Sequence, residues 1–321
     1  MHVQSLPIKL VIRNYDSITP LSNGDVTAEG IDLRLDRETP MAAFLTDESF
    51  QAGELSFAGY LRRLVDNNRD IIGMPVFVMR GFRQRCFLVR RDSGMTSLAD
   101  LAGKRIGVDV FGATGHTWNR AALREAGIDI TGIRWIVGPP ETLPAQPTPG
   151  AGLPPHASPA PDGKTLMELL LAGEIDSLIM SQPPRSFYEA GSPLARLLPN
   201  FREVEEAYAA RIGFLPPFHI VGLRASVVDE HPWVVRSLFN AFDAAQKLAA
   251  ERRLNLADVA PWVLEELESA ERTLGPDWQT HGVEPNRAAI ATFCHEMHSQ
   301  GIIDTAIDPV TVFADFERAM A

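Results

Sequence analysis

Arg80, Arg83 and Arg85 fall in one six-residue stretch, next to an apolar run from Cys86 to Arg91. A guanidinium is a planar fork of donors that matches a carboxylate two bonds at a time. The cluster therefore reads either as a clamp on an anionic ligand or as surface charge flanking a strand. His219 follows Pro216-Pro217 and opens a second apolar run, Phe218 to Arg224. Imidazole titrates near neutrality, so His219 is either a general acid/base or a hydrogen-bonded structural histidine. Ser56 and Tyr60 follow the string Ala52-Gly53-Glu54-Leu55, and Thr114 and Gly115 open a helical pattern. Backbone N–H groups at helix N-termini attract anions. Simple N-capping, by Ser97 or Thr114, is the plainer use of such residues and is compatible with ligand binding.

Other chemistry finds less support. Cys294, His295 and His298 look at first like metal ligands. On a helix from Pro285, however, Ala289, Phe293 and Met297 form the apolar stripe, with the two histidines on the solvated face and Cys294 at the stripe's edge. No HExxH, CxxC, GxGxxG or P-loop string occurs, so neither a catalytic zinc nor a nucleotide is indicated, and no cofactor is expected. The two cysteines, Cys86 and Cys294, sit far apart in apolar settings and read as reduced, buried thiols.

The 321 residues carry 41 acidic against 30 basic side chains, a net charge of -11. So negative a surface argues against nucleic acid or an anionic membrane as partner, while a few arginines can still reverse the field locally. A homo-oligomer is compatible with this composition. Met1 to Leu10 (MHVQSLPIKL) has no basic, apolar or cleavage segment of an export signal, and no stretch approaches the roughly 20 apolar residues of a membrane span. With Met1 as the natural start, the expected location is the cytoplasm.

The elements that must position these residues follow an α/β scheme of short apolar runs alternating with helical patterns. Strands are expected at Lys9–Arg13, Ile31–Leu35, Ile106–Val110 and Trp135–Val137, and helices at Pro40–Ser49, Phe57–Val65, Leu98–Gly103 and Thr114–Gly127. Ala52-Gly53-Glu54-Leu55-Ser56 recurs as Ala172-Gly173-Glu174-Ile175-Asp176. Read alike, each is a helix, a glycine stop and a strand, which suggests two similarly built lobes. Nine prolines between Pro139 and Pro161 forbid regular helix and central strand there. Pro232 opens an amphipathic helix with Val235, Leu238, Phe239, Phe242 and Leu248 at helical spacing, and the rest of the C-terminal third is helical. If Cys86–Arg91 and Phe218–Arg224 are strands crossing between lobes, lobe 1 is discontinuous (residues 1–85 and 225–321). Lobe 2 is then residues 86–224, including a Pro-rich surface loop at 139–163.

Several strings resemble the 4,5-dihydroxyphthalate decarboxylase family, cytoplasmic members of the type II periplasmic-binding-protein superfamily. They are Met74-Pro75-Val76-Phe77 with Arg80, Phe82 and Arg83; Ser97 to Arg105 (SLADLAGKR); Gly173 to Asp176; Phe214 to His219 (FLPPFH); His231 to Val234; and Gly282-Val283-Glu284 with Asn286-Arg287. They run through most of the chain. The family pattern is not followed at Phe111-Gly112-Ala113-Thr114 or from Met180 to Arg185. The resemblance implies a two-lobed α/β fold with two hinge-crossing strands and C-terminal helices packed on lobe 1. It implies cofactor-independent decarboxylation of a hydroxylated aromatic acid, with Arg80 and Arg83 holding a carboxylate and His219 as acid/base. The expected partner is a small carboxylated aromatic ligand. A non-catalytic small-anion binding protein or sensor, and a lyase resembling the chorismate dehydratases of this fold, share the same fold and stand as alternatives.

Overall fold

The structure, a computed structural model, describes residues 5–142 and 152–321. The middle of the expected Pro-rich loop, residues 143–151, lies outside the described residues. In chain order the elements are β1 (Leu6–Val11), α1 (Thr19–Ser22), β2 (Ile31–Asp36), β3 (Ala52–Ser56), α2 (Phe57–Val65), β4 (Ile71–Arg80), β5 (Phe87–Arg90), β6 (Arg105–Val108), α3 (Thr114–Glu125), β7 (Arg134–Val137), β8 (Ala157–Pro159), α4 (Leu166–Leu171), β9 (Ser177–Ile179), β10 (Leu194–Arg196), α5 (Phe201–Ile212), β11 (Pro217–Arg224), α6 (Ala225–Glu230), α7 (Trp233–Leu254), α8 (Val263–Leu274), α9 (Arg287–Ser299) and α10 (Ala314–Met320). The expected helix at Pro40–Ser49 is only a short 3-10 turn, Met41–Leu45. Among the described residues no helix is long and apolar enough to cross a membrane.

The chain forms two compact units. The first holds residues 1–81, 213–298 and 303–321, and the second residues 82–212 and 299–302. These bounds differ from the expected ones at 224/225, because β11 is not a strand between units. It pairs along its length with β3 and β4 of the first unit. β5 likewise pairs with β9 and β10 inside the second unit. The short return 299–302 belongs to the second unit through Gln300, which accepts from Arg120 Nε at 2.6 Å and donates to the Thr117 carbonyl at 3.0 Å.

In the first unit the sheet order is β2-β1-β3-β11-β4, with β1 parallel to β2 and β3, and β11 antiparallel to β3 and β4. Both faces are covered, as a largely parallel arrangement requires. Ile8, Leu10 and Val11 of β1 and Val221 and Leu223 of β11 are buried, as is the α7 stripe from Val234 through Leu238 and Phe242 to Ala249. Phe57 of α2 stacks on Phe293 of α9 at 4.9 Å between ring centroids and meets Phe313 at 6.1 Å, so the C-terminal helices are fixed to this sheet by aromatic contact.

The second unit carries a six-stranded sheet ordered β10-β5-β9-β6-β7-β8. Its core joins Phe87, Val89, Ile106, Val108, Leu123 and Trp135. Pro159 ends the edge strand β8, where its missing N–H costs no ladder bond.

The repeated Ala-Gly-Glu string is not one structure used twice. Gly173 ends α4 at φ +73, as a helix-stopping glycine does. Gly53 instead lies within β3, where a Cβ would stand 2.3 Å from Phe44 Cγ. Gly73 of β4 is under the same constraint from the ring of Tyr60, 2.5 Å from its would-be Cβ. Gly73→Ala should therefore overpack the first unit and cost about 1–3 kcal/mol. Thermal or urea unfolding of the variant checks this, and an unchanged midpoint would refute the packing argument.

Candidate acid/base site in the first unit

Glu54 is the central residue of β3 and is fully buried. An ionised carboxylate there must be answered by donors. Three are provided by chain segments that β1 and β11 bring alongside β3. The Arg13 backbone N–H donates to Oε2 at 2.9 Å, the Tyr15 hydroxyl donates to Oε1 at 2.7 Å, and His219 Nδ1 bonds to Oε1. The Arg13 guanidinium adds a longer contact at 3.9 Å. Burial raises the Glu54 carboxyl, but the His219 bond, the Arg13 N–H, the His219 charge and the Tyr15 bond together hold it below its ordinary range. Tyr15 is shifted the other way. Burial first, and then the Glu54 charge, raise its phenol far above the ordinary value, so it stays a donor.

His219 pairs with Ser56 in the regular β11–β3 ladder, which puts it on the same face as Glu54 two residues away, while the β11–β4 ladder shifts register on both sides of it. Val221 pairs with Met74, His219 with Met79 and Pro217 with Arg80, so β4 carries extra residues opposite His219. Such bulges re-aim side chains. Pro75, which has no N–H to give the ladder, lies in the bulged stretch. Its carbonyl accepts from Gly282 N at 2.8 Å, and the Phe77 N–H donates to His281 Nδ1 at 3.3 Å. Nδ1 of His219 faces Glu54, while Nε2 has no hydrogen-bond partner among the described residues. A carboxylate on one nitrogen and an unengaged second nitrogen is the arrangement of an oriented general acid/base.

Arg80 ends β4. Nη1 donates to Asn286 Oδ1 at 2.6 Å and Nη2 to the Thr280 carbonyl at 2.8 Å, while the guanidinium lies 4.8 Å from the Phe77 ring centre. None of these partners is an anion. Burial draws its pKa down to about 9, and the same burial with the Arg80 charge draws His281 down to about 3, so His281 is neutral.

The other expected residues divide between the two units. Ser56 lies opposite His219 in register, and its hydroxyl caps α2 by accepting from Gly59 N at 3.0 Å. Tyr60 is a correction: it is 1% exposed, stacks on Phe313 and donates to the Val312 carbonyl at 3.1 Å, which makes it a core residue. In the second unit the structure brings Arg83, Thr114 and Gly115 together. The Arg83 guanidinium lies 3.4–3.5 Å from where a Cβ on Gly115 would stand, at the first turn of α3, and Thr114 is buried. Asn119 Nδ2 donates to the Arg83 carbonyl at 2.9 Å. The same turn holds His116, whose Nε2 bonds to Asp109 beyond the end of β6 while its buried Nδ1 has no partner. Arg85 N donates to Glu205 at 3.1 Å, a structural use of that arginine. Cys86 and Cys294 are free and buried.

Sequence reasoning missed Glu54, Tyr15 and the His281–Asn286 contacts. Glu54 did carry a signal, a charge inside an otherwise apolar strand, which cannot be buried without a partner.

No family model matches the chain. It is 31% identical over 327 residues to 4,5-dihydroxyphthalate decarboxylase of Comamonas testosteroni, with 97% of each chain covered. It is 30% identical over 191 residues to the protein of the same name from Pseudomonas putida, covering 58% of this chain and 74% of that one. Among solved structures, the periplasmic aliphatic sulphonate binding protein SsuA of Escherichia coli superposes with a TM-score of 0.56 at 12% identity, covering 96% and 91% of the two chains. The desulfurization enzyme DszB superposes with a TM-score of 0.54 at 13% identity, covering 98% and 99%. The fold is thus that of the type II periplasmic-binding-protein class. Within it, the chain belongs to the 4,5-dihydroxyphthalate decarboxylase family.

The Glu54 geometry has a consequence for stability. A carboxyl whose folded pKa lies below its unfolded value adds stability above the ordinary 4.5. That stability is lost as pH falls through the depressed folded value. The stability difference between wild type and Glu54→Gln should therefore be largest near neutral pH and shrink on acidification below about pH 4.5. Urea unfolding across that range checks it, and a difference that does not vary with pH would contradict the buried, ionised Glu54.

Proposed function

We propose that the chain is a cofactor-independent decarboxylase of a hydroxylated aromatic carboxylate of the 4,5-dihydroxyphthalate type. The observation that carries this reading is the pairing of His219 with buried Glu54 on a strand whose neighbour ends in Arg80. Family membership supplies the substrate class. In such a substrate each carboxylate lies para to a ring hydroxyl. Partial transfer of the hydroxyl proton to a hydrogen-bonded water, which returns it once the ring is restored, pushes electron density toward the carbon that bears the carboxylate. His219, as imidazolium, passes its Nε2 proton to that carbon. The bond to the carboxylate then breaks, carbon dioxide leaves, and the aromatic ring is restored. Glu54 accepts from Nδ1–H throughout, which orients the ring. The second carboxylate is a handle for a guanidinium. Arg80 is the first candidate because it has no acidic partner, and Arg83 the second because it lies at the positive end of α3.

The test is to incubate the protein with 4,5-dihydroxyphthalate and follow protocatechuate by absorbance. Turnover is expected, and His219→Ala should lower kcat by about 10²–10⁴-fold while leaving substrate binding in place. Tight binding without turnover by the wild type would overturn the reading in favour of a non-catalytic binding protein. Turnover unaffected by His219→Ala would remove that residue from the chemistry.

A further inference from the structure

Among the described α-helices, α8 alone buries no side chain. Its sequence is nevertheless amphipathic. Val263, Leu267, Ala270 and Leu274 recur at helical spacing, and all four are only half-buried. The opposite face is charged, and there Arg272 pairs with Glu265 and Glu268 of the same helix. The apolar stripe turns toward the body of the first unit without packing closely on it. Leu267 and Ala270 line a cavity of about 470 Å³ whose other walls include Tyr15 and, on β4, Met79 and Arg80. Leu267 and Glu271 line a second cavity, of about 370 Å³, whose far wall is α7 at Asp243, Lys247 and Ala250. A helix that belongs to a finished core does not stand over spaces of this size, because protein interiors pack as densely as organic crystals.

The ends of α8 are as informative as its face. Trp262, just before it, holds a positive φ of 65° and is 80% exposed. A bulky side chain is strained by its own backbone there. Gly275, just after it, has φ 81° and ψ 167°, a region open to glycine and closed to residues with a Cβ. The stretch that leads in gives no anchor either, since Leu254, Leu256 and Val259 are all exposed. The helix is thus joined to the body by a special backbone position at each end, with little apolar burial between them. Segments of that kind open locally as units.

We infer that α8 is a lid hinged at Trp262 and Gly275, which closes by seating its apolar stripe on β4 and α7 and covers the space beside Tyr15 and Arg80. Closing hides Leu267 and Ala270 from water. It also drives water from beside Tyr15, whose hydroxyl donates to Glu54 Oε1, and hydrogen bonds to a carboxylate strengthen as water leaves. The inference deepens the decarboxylase reading and rests on it for what the lid does to turnover, but not for the motion itself.

The experiment uses the full chain. Amide hydrogen exchange followed by mass spectrometry should show α8 at least about tenfold less protected than α9, whose Ala289, Ile290, Phe293 and Met297 are buried. Gly275→Ala, which puts a Cβ where the backbone admits only glycine, should speed exchange in α8 by about fivefold or more and leave α9 unchanged. Leu267→Ser removes the centre of the stripe. Because Leu267 is not buried, the melting midpoint should stay where it is, while kcat with 4,5-dihydroxyphthalate should fall about tenfold or more. Leu267→Met should keep the wild-type kcat. Protection of α8 equal to that of α9, or exchange in α8 indifferent to Gly275→Ala, overturns the hinged lid. Turnover by Leu267→Ser at the wild-type rate overturns its closure over the site even though the protein decarboxylates. If α8 opens as described and the wild type turns over no hydroxylated phthalate, the lid stands and the decarboxylase reading falls.

Discussion

A carboxylate at the centre of a sheet cannot remain ionised without donors, and Glu54 is such a carboxylate. It is buried on β3 with a strand on either side. β1 runs parallel to β3, and the residues just beyond its end, Arg13 and Tyr15, come level with Glu54. β11 runs antiparallel on the other flank and presents His219. The charge on Glu54 thus ties together three segments far apart in sequence, and a histidine held this way keeps one nitrogen engaged and the other available. Removal of any one donor would leave part of the carboxylate unsatisfied in a low-dielectric setting, where such a loss costs far more than it would at the surface.

β4, the other neighbour of β11, is irregular. Pro75 interrupts the donors of β4, the register shifts, and the backbone groups released from the ladder are taken up by the turn at residues 280–286. Gly282 N, His281 Nδ1, the Thr280 carbonyl and Asn286 together take up the Pro75 carbonyl, the Phe77 N–H and the two Nη groups of Arg80. The strings Met74 to Arg80 and Gly282 to Arg287 are therefore two halves of one structural piece. Their separation of about 200 residues in the chain hides this until the fold is known.

This sets how much was legible beforehand. The α/β alternation and the exact extent of α2 could be read directly, because period and capping are local properties. The reach of β11 was also visible, but not which sheet it joins, since strand pairing is settled by tertiary contact. The Ala-Gly-Glu repeat misled for a related reason. Glycine at 173 answers a backbone need for positive φ, whereas glycine at 53 answers the close approach of Phe44, and a string of letters does not distinguish the two. Tyr60 followed a plausible motif but points into the aromatic cluster of Phe57, Phe77 and Phe313, where its hydroxyl needs only one carbonyl. Arg80 and His219 could be named, but their partners could not.

The charge balance of the molecule now has a local meaning. A net charge of -11 repels an anionic substrate at long range, though salt screens that repulsion beyond about 8–10 Å. In the first unit Asp16 pairs with Arg253, and Glu54 is held by Arg13, Tyr15 and His219. Arg80 is committed only to neutral oxygens. Because a buried guanidinium interacts more strongly with an incoming anion than an exposed one does, a single uncompensated arginine outweighs many distant surface carboxylates. Recognition of a carboxylate by an acidic protein requires only that its buried acids be paired and one buried base be left without a counter-charge.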